Sequence, residues 1–156
     1  MPFNRWATDE PRDPPRVPAR RTAIVTCMDA RIDPLAALGM HLGDAHVLRN
    51  AGAIVTDDTI RSLAISQRML HTRSVVIVGH TDCGLEGLDE EAALRELAEA
   101  AGTEPPWPLG SFEHVEDQVR ESVRAVRESP FVPYRDDVRG YVQHVGAGGG
   151  LRPVGA

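Results

Sequence analysis

Three short strand-like runs constrain this chain most, the first and third rich in β-branched residues: Thr22-Ala23-Ile24-Val25-Thr26, Ala45-His46-Val47-Leu48-Arg49 and Ser74-Val75-Val76-Ile77-Val78-Gly79. The third has no polar alternation between Val75 and Val78, the pattern of a strand covered on both faces. Helical signals fill the gaps. Asp33-Pro34 opens a short helix through Leu38, with Asp33 as cap, Pro34 at the first position and Gly39 as stop. Thr56 or Asp57 caps a second helix to about Leu70, its acidic first turn matched to the helix dipole. A third runs from Asp89 to about Ala101, with Leu94, Leu97, Ala98 and Ala101 on one face and Gly102 as stop. A fourth runs from about Phe112 to Glu128, with Val115, Val119, Val123 and Val126 on a stripe, and Ser129-Pro130 ends it. Val138 to Val145 reads as a fourth strand, and a Gly-rich turn leads to an edge segment over Leu151 to Val154. Strands alternating with helices predict an α/β fold: a mostly parallel central β-sheet flanked by helices, with a C-terminal edge strand.

The 156 residues suit one domain. Residues 1–20, with Pro11, Pro14, Pro15 and Pro18, cannot form a helix interior and read as an extended N-terminal arm, disordered or laid across a neighbouring subunit. The folded unit is then 21–156. A net charge of −6 argues against nucleic acid as a partner. All 17 basic residues are arginine, so Schiff-base chemistry and a lysine general base are excluded. No apolar run approaches the roughly 20 residues that span a bilayer, so no membrane is expected. The first residues carry Asp9, Glu10 and prolines where a secretory leader would be apolar. Only two cysteines occur, too few for a secreted disulfide scaffold, and metal ligation or buried thiols suit a reducing compartment better. The expected location is the cytoplasm.

Ligands of parallel sheets gather at the carboxyl ends of the strands. Cys27 directly follows the first run and His80 the third, and His80-x-x-Cys83 has metal-clip spacing. Two thiolates and an imidazole are good zinc ligands, and three protein ligands leave the fourth tetrahedral position open, as a catalytic site requires. Asp29 and Arg31 follow Cys27 closely. Asp29 can accept a hydrogen bond from a zinc-bound hydroxide, or bind the metal itself; Arg31 can hold it off by a bidentate pair. Two anionic ligands cancel the metal charge, so the bound water should be less acidic than the pKa of about 7 in a three-histidine site, and activity should rise toward alkaline pH. Gly84 and the Asn50-Ala51-Gly52 turn are candidates for the substrate rim. Asp82 reads as a turn former or an outer partner of the ligands. His41, His46, His71, His114 and His144 are read as structural.

Three segments, Cys27-Met28-Asp29-Ala30-Arg31, Val47-Leu48-Arg49-Asn50-Ala51-Gly52 and Gly79-His80-Thr81-Asp82-Cys83-Gly84, resemble the β-class carbonic anhydrases in their compact prokaryotic branch. Ser62 to Ser66, Glu116 to Val119 with Ser129-Pro130, and Val138 to Tyr141 extend the resemblance over nearly the whole chain. It implies reversible hydration of carbon dioxide to bicarbonate and a proton by attack of zinc-bound hydroxide. Cys27, His80 and Cys83 would hold zinc; Asp29 and Arg31 would orient the nucleophile. The resemblance also implies a homodimer or larger homo-oligomer with its cleft at the subunit boundary. Leu85 stands where the family commonly has Met.

Two other readings use the same residues. A carbon disulfide or carbonyl sulfide hydrolase would keep the zinc ligands and differ in cleft access and assembly. A non-catalytic zinc-stabilised protein would follow if Asp29 closed the site. A nucleobase deaminase is discarded, because Pro-Cys-x-x-Cys does not occur and the one His-x-Glu, at His114-Val115-Glu116, has no cysteine after it.

Overall fold

The computed structural model describes residues 16–146 and 149–155. Most of the arm thus lies outside the described residues. Its last part, 16–20, is tied to its own chain, where the amides of Ala19 and Arg20 donate to the carbonyls of Gly43 and Asp44.

Five strands form one sheet: β1 (Thr22–Cys27), β2 (Ala45–Asn50), β3 (Ser74–His80), β4 (Val138–Gln143) and β5 (Leu151–Val154). Their order is β2-β1-β3-β4-β5. The first four run parallel and β5 returns antiparallel on β4. β1 and β3 are the most completely buried strands, in keeping with their unbroken apolar character. The expected α/β architecture is therefore present, edge strand included.

The helices are α1 (Pro34–Ala37), α2 (Asp57–Arg68), α3 (Glu90–Ala101) and α4 (Val115–Glu128). The caps read from sequence are in place: Asp33 accepts from Leu35 and Ala36, and Thr56 from Thr59. Asp89, read as the start of the third helix, is its cap and accepts from Ala92; all three satisfy first-turn donors that lack an intrahelical partner. Gly102 ends α3 in the left-handed conformation.

α4 starts three residues later than its periodicity predicts. Residues around Phe112 are extended and pair with the segment after Cys83: Phe112 N–H donates to Leu85 O, and Gly87 N–H to Phe112 O. The Glu86 carboxylate then takes the free N–H of Val115 and serves as the cap that His114 does not provide. β4 likewise stops before the expected Val145, whose amide turns away to Thr81 Oγ1.

Alternate residues of the central strands face opposite layers. Ala23, Val25, Val75 and Ile77 pack with Leu63 of α2 and the valine stripe of α4. Ile24, Val76 and Val78 face the α1 side, covered by Leu35, Leu38 and Met40. α3 differs from both layers: none of its residues is buried, so its apolar stripe does not serve this core.

α4 lies close against the sheet because Gly79 and Gly140 have no side chains. A Cβ on Gly140 would sit 2.6 Å from Val119 Cγ1 and 3.2 Å from Val123 Cγ2. Helical valines are stiff at χ1 and cannot swing aside. Gly140→Ala should therefore cost about 1–3 kcal/mol by overpacking, lowering the melting midpoint by about 2–12 °C for a domain of this size. A melt monitored by circular dichroism checks this; an unchanged midpoint would contradict the packing.

Candidate metal centre

β1 and β3 are parallel neighbours, with Thr26 paired to Val78. Cys27 ends β1 and His80 ends β3, so both reach the same edge of the sheet. Cys83 is brought back to that edge by a tight turn in which Asp82 has φ +57°. Asp tolerates this left-handed conformation better than most residues. The three ligand-type side chains are buried, and their ligand atoms lie within 4.8 Å of one another. Both cysteines are free thiols.

The imidazole is prepared for a metal. His80 is 1% exposed, and its Nδ1 lies 2.9 Å from Thr81 O, so Nδ1 carries the proton and Nε2 is left bare. Nε2 is buried without any hydrogen-bond partner. An unsatisfied buried group of this kind costs about 1–3 kcal/mol, and a metal ion would remove that cost. Gly52 N–H points at Cys27 Sγ from 3.4 Å. Burial pushes the Cys83 thiol up, partly opposed by the Leu85 N–H. Two buried sulfurs beside a bare imidazole nitrogen fit zinc.

Asp29 stands at the rim. Its Oδ2 is 3.9 Å from His80 Nε2. Arg31 holds the carboxylate: Nη2 donates to Oδ2 at 2.8 Å, Nε to Oδ1 at 3.0 Å, and the Arg31 amide to Oδ1 at 2.8 Å. Those bonds keep the Asp29 carboxyl well below the usual carboxylate range, and raise Arg31 correspondingly. Arg31 also donates to Asp82, from Nη1 to Oδ2 at 2.6 Å and from Nη2 to the carbonyl at 2.8 Å.

A cavity of about 320 Å³ opens beside these groups, walled by Met28, Ala51, Gly52, Gly84 and Leu85 as well as by Cys27, Asp29 and Cys83. Gly52 sits at φ +74°, a conformation that favours glycine, and a Cβ there would press on Leu85 Cδ1 at 2.8 Å, the end of a side chain that can move aside. Gly84 differs: a Cβ there would meet nothing within 4 Å. Asn50 is not part of the wall surface. Its amide closes the turn behind it, donating to Ile54 O and accepting from Ile54 N.

The residue that sequence reasoning passed over is Arg49. Its Nε donates to Cys27 O at 2.9 Å, and its Nη2 to Asp29 O at 2.6 Å and Ile32 O at 3.4 Å. One guanidinium thus fastens the whole segment carrying Cys27, Asp29 and Arg31. Its signal was positional: an arginine at the end of the strand that pairs with Cys27.

The family model described as carbonic anhydrase matches residues 22–100, about half of the chain. Beta-carbonic anhydrase 1 of Mycobacterium tuberculosis is 44% identical over 134 residues, covering 86% of this chain and 82% of its own length. The chain belongs to the β-carbonic anhydrase family. The crystal structure of carbonic anhydrase from Streptococcus mutans superposes with a TM-score of 0.86 at 38% identity, over 94% of this chain and 88% of that one. A carbon disulfide hydrolase of Acidithiobacillus thiooxidans is more distant, 32% identical over 168 residues, covering 92% of this chain and 77% of its own length. The activity and metal that the sequence resemblance implied, zinc-dependent hydration of carbon dioxide, stand with this membership.

The protonation state of the thiols sets how the centre loads. Burial raises the Cys83 pKa, so near neutrality the metal-free chain holds a proton that zinc must displace. Apparent zinc affinity should therefore increase with pH between 6 and 8, by up to about tenfold per unit for the proton lost from Cys83. Chelator competition at several pH values tests this, and a flat profile would contradict it. Cys83→Ser should lose zinc under the same conditions.

Proposed function

We propose that this chain hydrates carbon dioxide reversibly to bicarbonate and a proton, with Cys27, His80 and Cys83 as the zinc ligands and Asp29 and Arg31 as the residues that orient the nucleophile. The observation that carries the reading is the bare, buried Nε2 of His80 between two buried thiols, with a carboxylate at the rim held off by an arginine. Zinc, when bound, would supply a Lewis acid that acidifies water and makes it nucleophilic.

The protein's own residues do the rest. Thr81 O fixes the His80 tautomer, and Gly52 N–H donates to Cys27 Sγ and orients it. Asp29 is an anion over the working pH range, because Arg31 depresses its pKa. Its Oδ2 therefore accepts a proton-bearing donor and cannot offer one, which aims the lone pair of an attacking water at the substrate. The pocket beside it has an aliphatic wall and two glycines, room for a small linear apolar molecule. Asn50 contributes by holding the Gly52 turn in shape.

We also propose a homodimer or larger homo-oligomer acting in the cytoplasm. Support for the assembly is the apolar surface this fold leaves uncovered: Met28 at the pocket mouth, Leu42, Val47 on the edge strand β2, and Leu97 on α3. Among the described residues no helix is long and apolar enough to cross a membrane.

Stopped-flow carbon dioxide hydration from pH 6.5 to 9, on protein of measured zinc content, tests the activity. Zinc near one per chain and turnover climbing toward alkaline pH are expected, because two anionic ligands neutralise the metal charge. Full zinc with no turnover across the range would overturn the reading. Asp29→Ala should retain zinc and lose about 10–100-fold in turnover, the usual scale for a residue that orients a reacting group beside a metal. Full activity in that variant would remove Asp29 from the mechanism.

A further inference from the structure

One charged side chain at the centre has no part in the scheme above. We propose that Asp82 is a positioning residue: it anchors the Arg31 guanidinium to the His80–Cys83 turn and thereby keeps the Asp29 carboxylate away from the metal position. The proposal rests on the metal-centre reading and deepens it.

Arg31 is the only donor to Asp29 among the described residues; all four hydrogen bonds to that carboxylate come from its side chain and amide. Whatever holds Arg31 therefore holds Asp29. The guanidinium has a second set of partners, the Asp82 carboxylate and the Asp82 carbonyl, on a segment 51 residues away in sequence. A planar fork with five donors can serve both at once. It bridges the segment after β1 to the turn after β3, the two pieces that flank the ligand-type residues.

Without the Asp82 carboxylate, Nη1 loses its partner. The Arg31 side chain is 46% exposed, so water competes for it at once. Asp29 Oδ2 needs only a short swing, since it already lies 3.9 Å from His80 Nε2. A carboxylate freed there is a ligand for the fourth metal position. A plain turn former does not account for Asp82, because asparagine or glycine would serve φ +57° equally well and neither brings an anion to 2.6 Å from Arg31. The same conformation makes Asp82→Asn a clean substitution: the backbone preference is kept and the charge is lost.

The Asp82 side chain is 80% exposed, so solvent weakens the pair and the effect should be moderate. The experiment uses the full chain loaded with cobalt(II) and titrated with azide at fixed pH and ionic strength, followed by visible absorption. Azide needs the fourth position, so a carboxylate that reaches the metal competes with it. Asp82→Asn should weaken azide binding by roughly three- to tenfold and shift the cobalt bands before azide is added. Removing a nearby negative charge without moving Asp29 would strengthen anion binding, the opposite sign. Asp29→Ala/Asp82→Asn should bind azide like Asp29→Ala alone, because nothing remains to swing in.

Asp82→Gly, which also relieves the positive φ, should repeat the Asp82→Asn result. Unchanged or tighter azide binding in both variants would overturn the proposal. Equal weakening in the Asp29→Ala background would overturn it too, by assigning Asp82 to turn integrity alone. A wild-type chain that takes up no cobalt would overturn the metal centre itself, a failure distinct from normal uptake with no effect of Asp82.

Discussion

The parallel pairing of β1 with β3 at the middle of the sheet is the constraint on which everything else hangs. Thr26 opposite Val78 fixes where each strand ends relative to the other, and so fixes Cys27 against His80. Both strands are buried on both faces, which leaves little freedom for a register slip: a one-residue shift would exchange the residues facing α4 for those facing α1. A ligand set that must bring its atoms within a few ångströms is thus built on the stiffest part of the fold. Only Cys83 comes from a turn, and that turn is tied by Thr81 to β4 and by Asp82 to Arg31.

Arginine does the fastening around this frame. Arg49 reaches from β2 to three carbonyls of the segment after β1. Arg31 reaches from that segment to the turn after β3. Arg31 joins pieces of backbone that no strand pairing connects, while Arg49 carries the β1–β2 pairing on past the end of β1 to Asp29 and Ile32. A chain without lysine loses nothing here, since an ammonium is a point charge and cannot serve several fixed acceptors in one plane.

Much of this was legible before any coordinates. β-branched runs announce buried strands, and Asp33, Thr56 and Asp89 announce helix starts, because those signals are local. Cys27, His80 and Cys83 were legible because a strand end in a parallel sheet has one place to go. The late start of α4 was hidden, since it depends on Phe112 pairing with Leu85 and Gly87 across 25 residues and more of chain. The valine stripe gave the face of that helix correctly but could not give its first turn. Arg49 was hidden for the same reason: its three acceptors are backbone atoms, and carbonyls leave no mark on a sequence. The stripe on α3 shows the converse case. Its periodicity marks a helix with an apolar face, and the face is there, but nothing local states that the sheet lies elsewhere.

The pocket itself explains why relatives with different substrates share one frame. Its wall is aliphatic, with Gly52 required by its backbone and Gly84 standing free of any neighbour that a side chain would strike. The aliphatic part of such a surface discriminates by size, and one methylene of difference in an apolar pocket is worth only about 1–3 kcal/mol. Carbon dioxide is linear and apolar, and so is carbon disulfide, the substrate in the name of the Acidithiobacillus thiooxidans relative. Selection between them must then arise from the width of the approach. In this chain that approach is bordered by Met28, which is 67% exposed, and Leu85, which packs against Gly52. Both are flexible side chains on an outer wall, so access can change between relatives while the ligands, fixed by the register of β1 and β3, stay where they are.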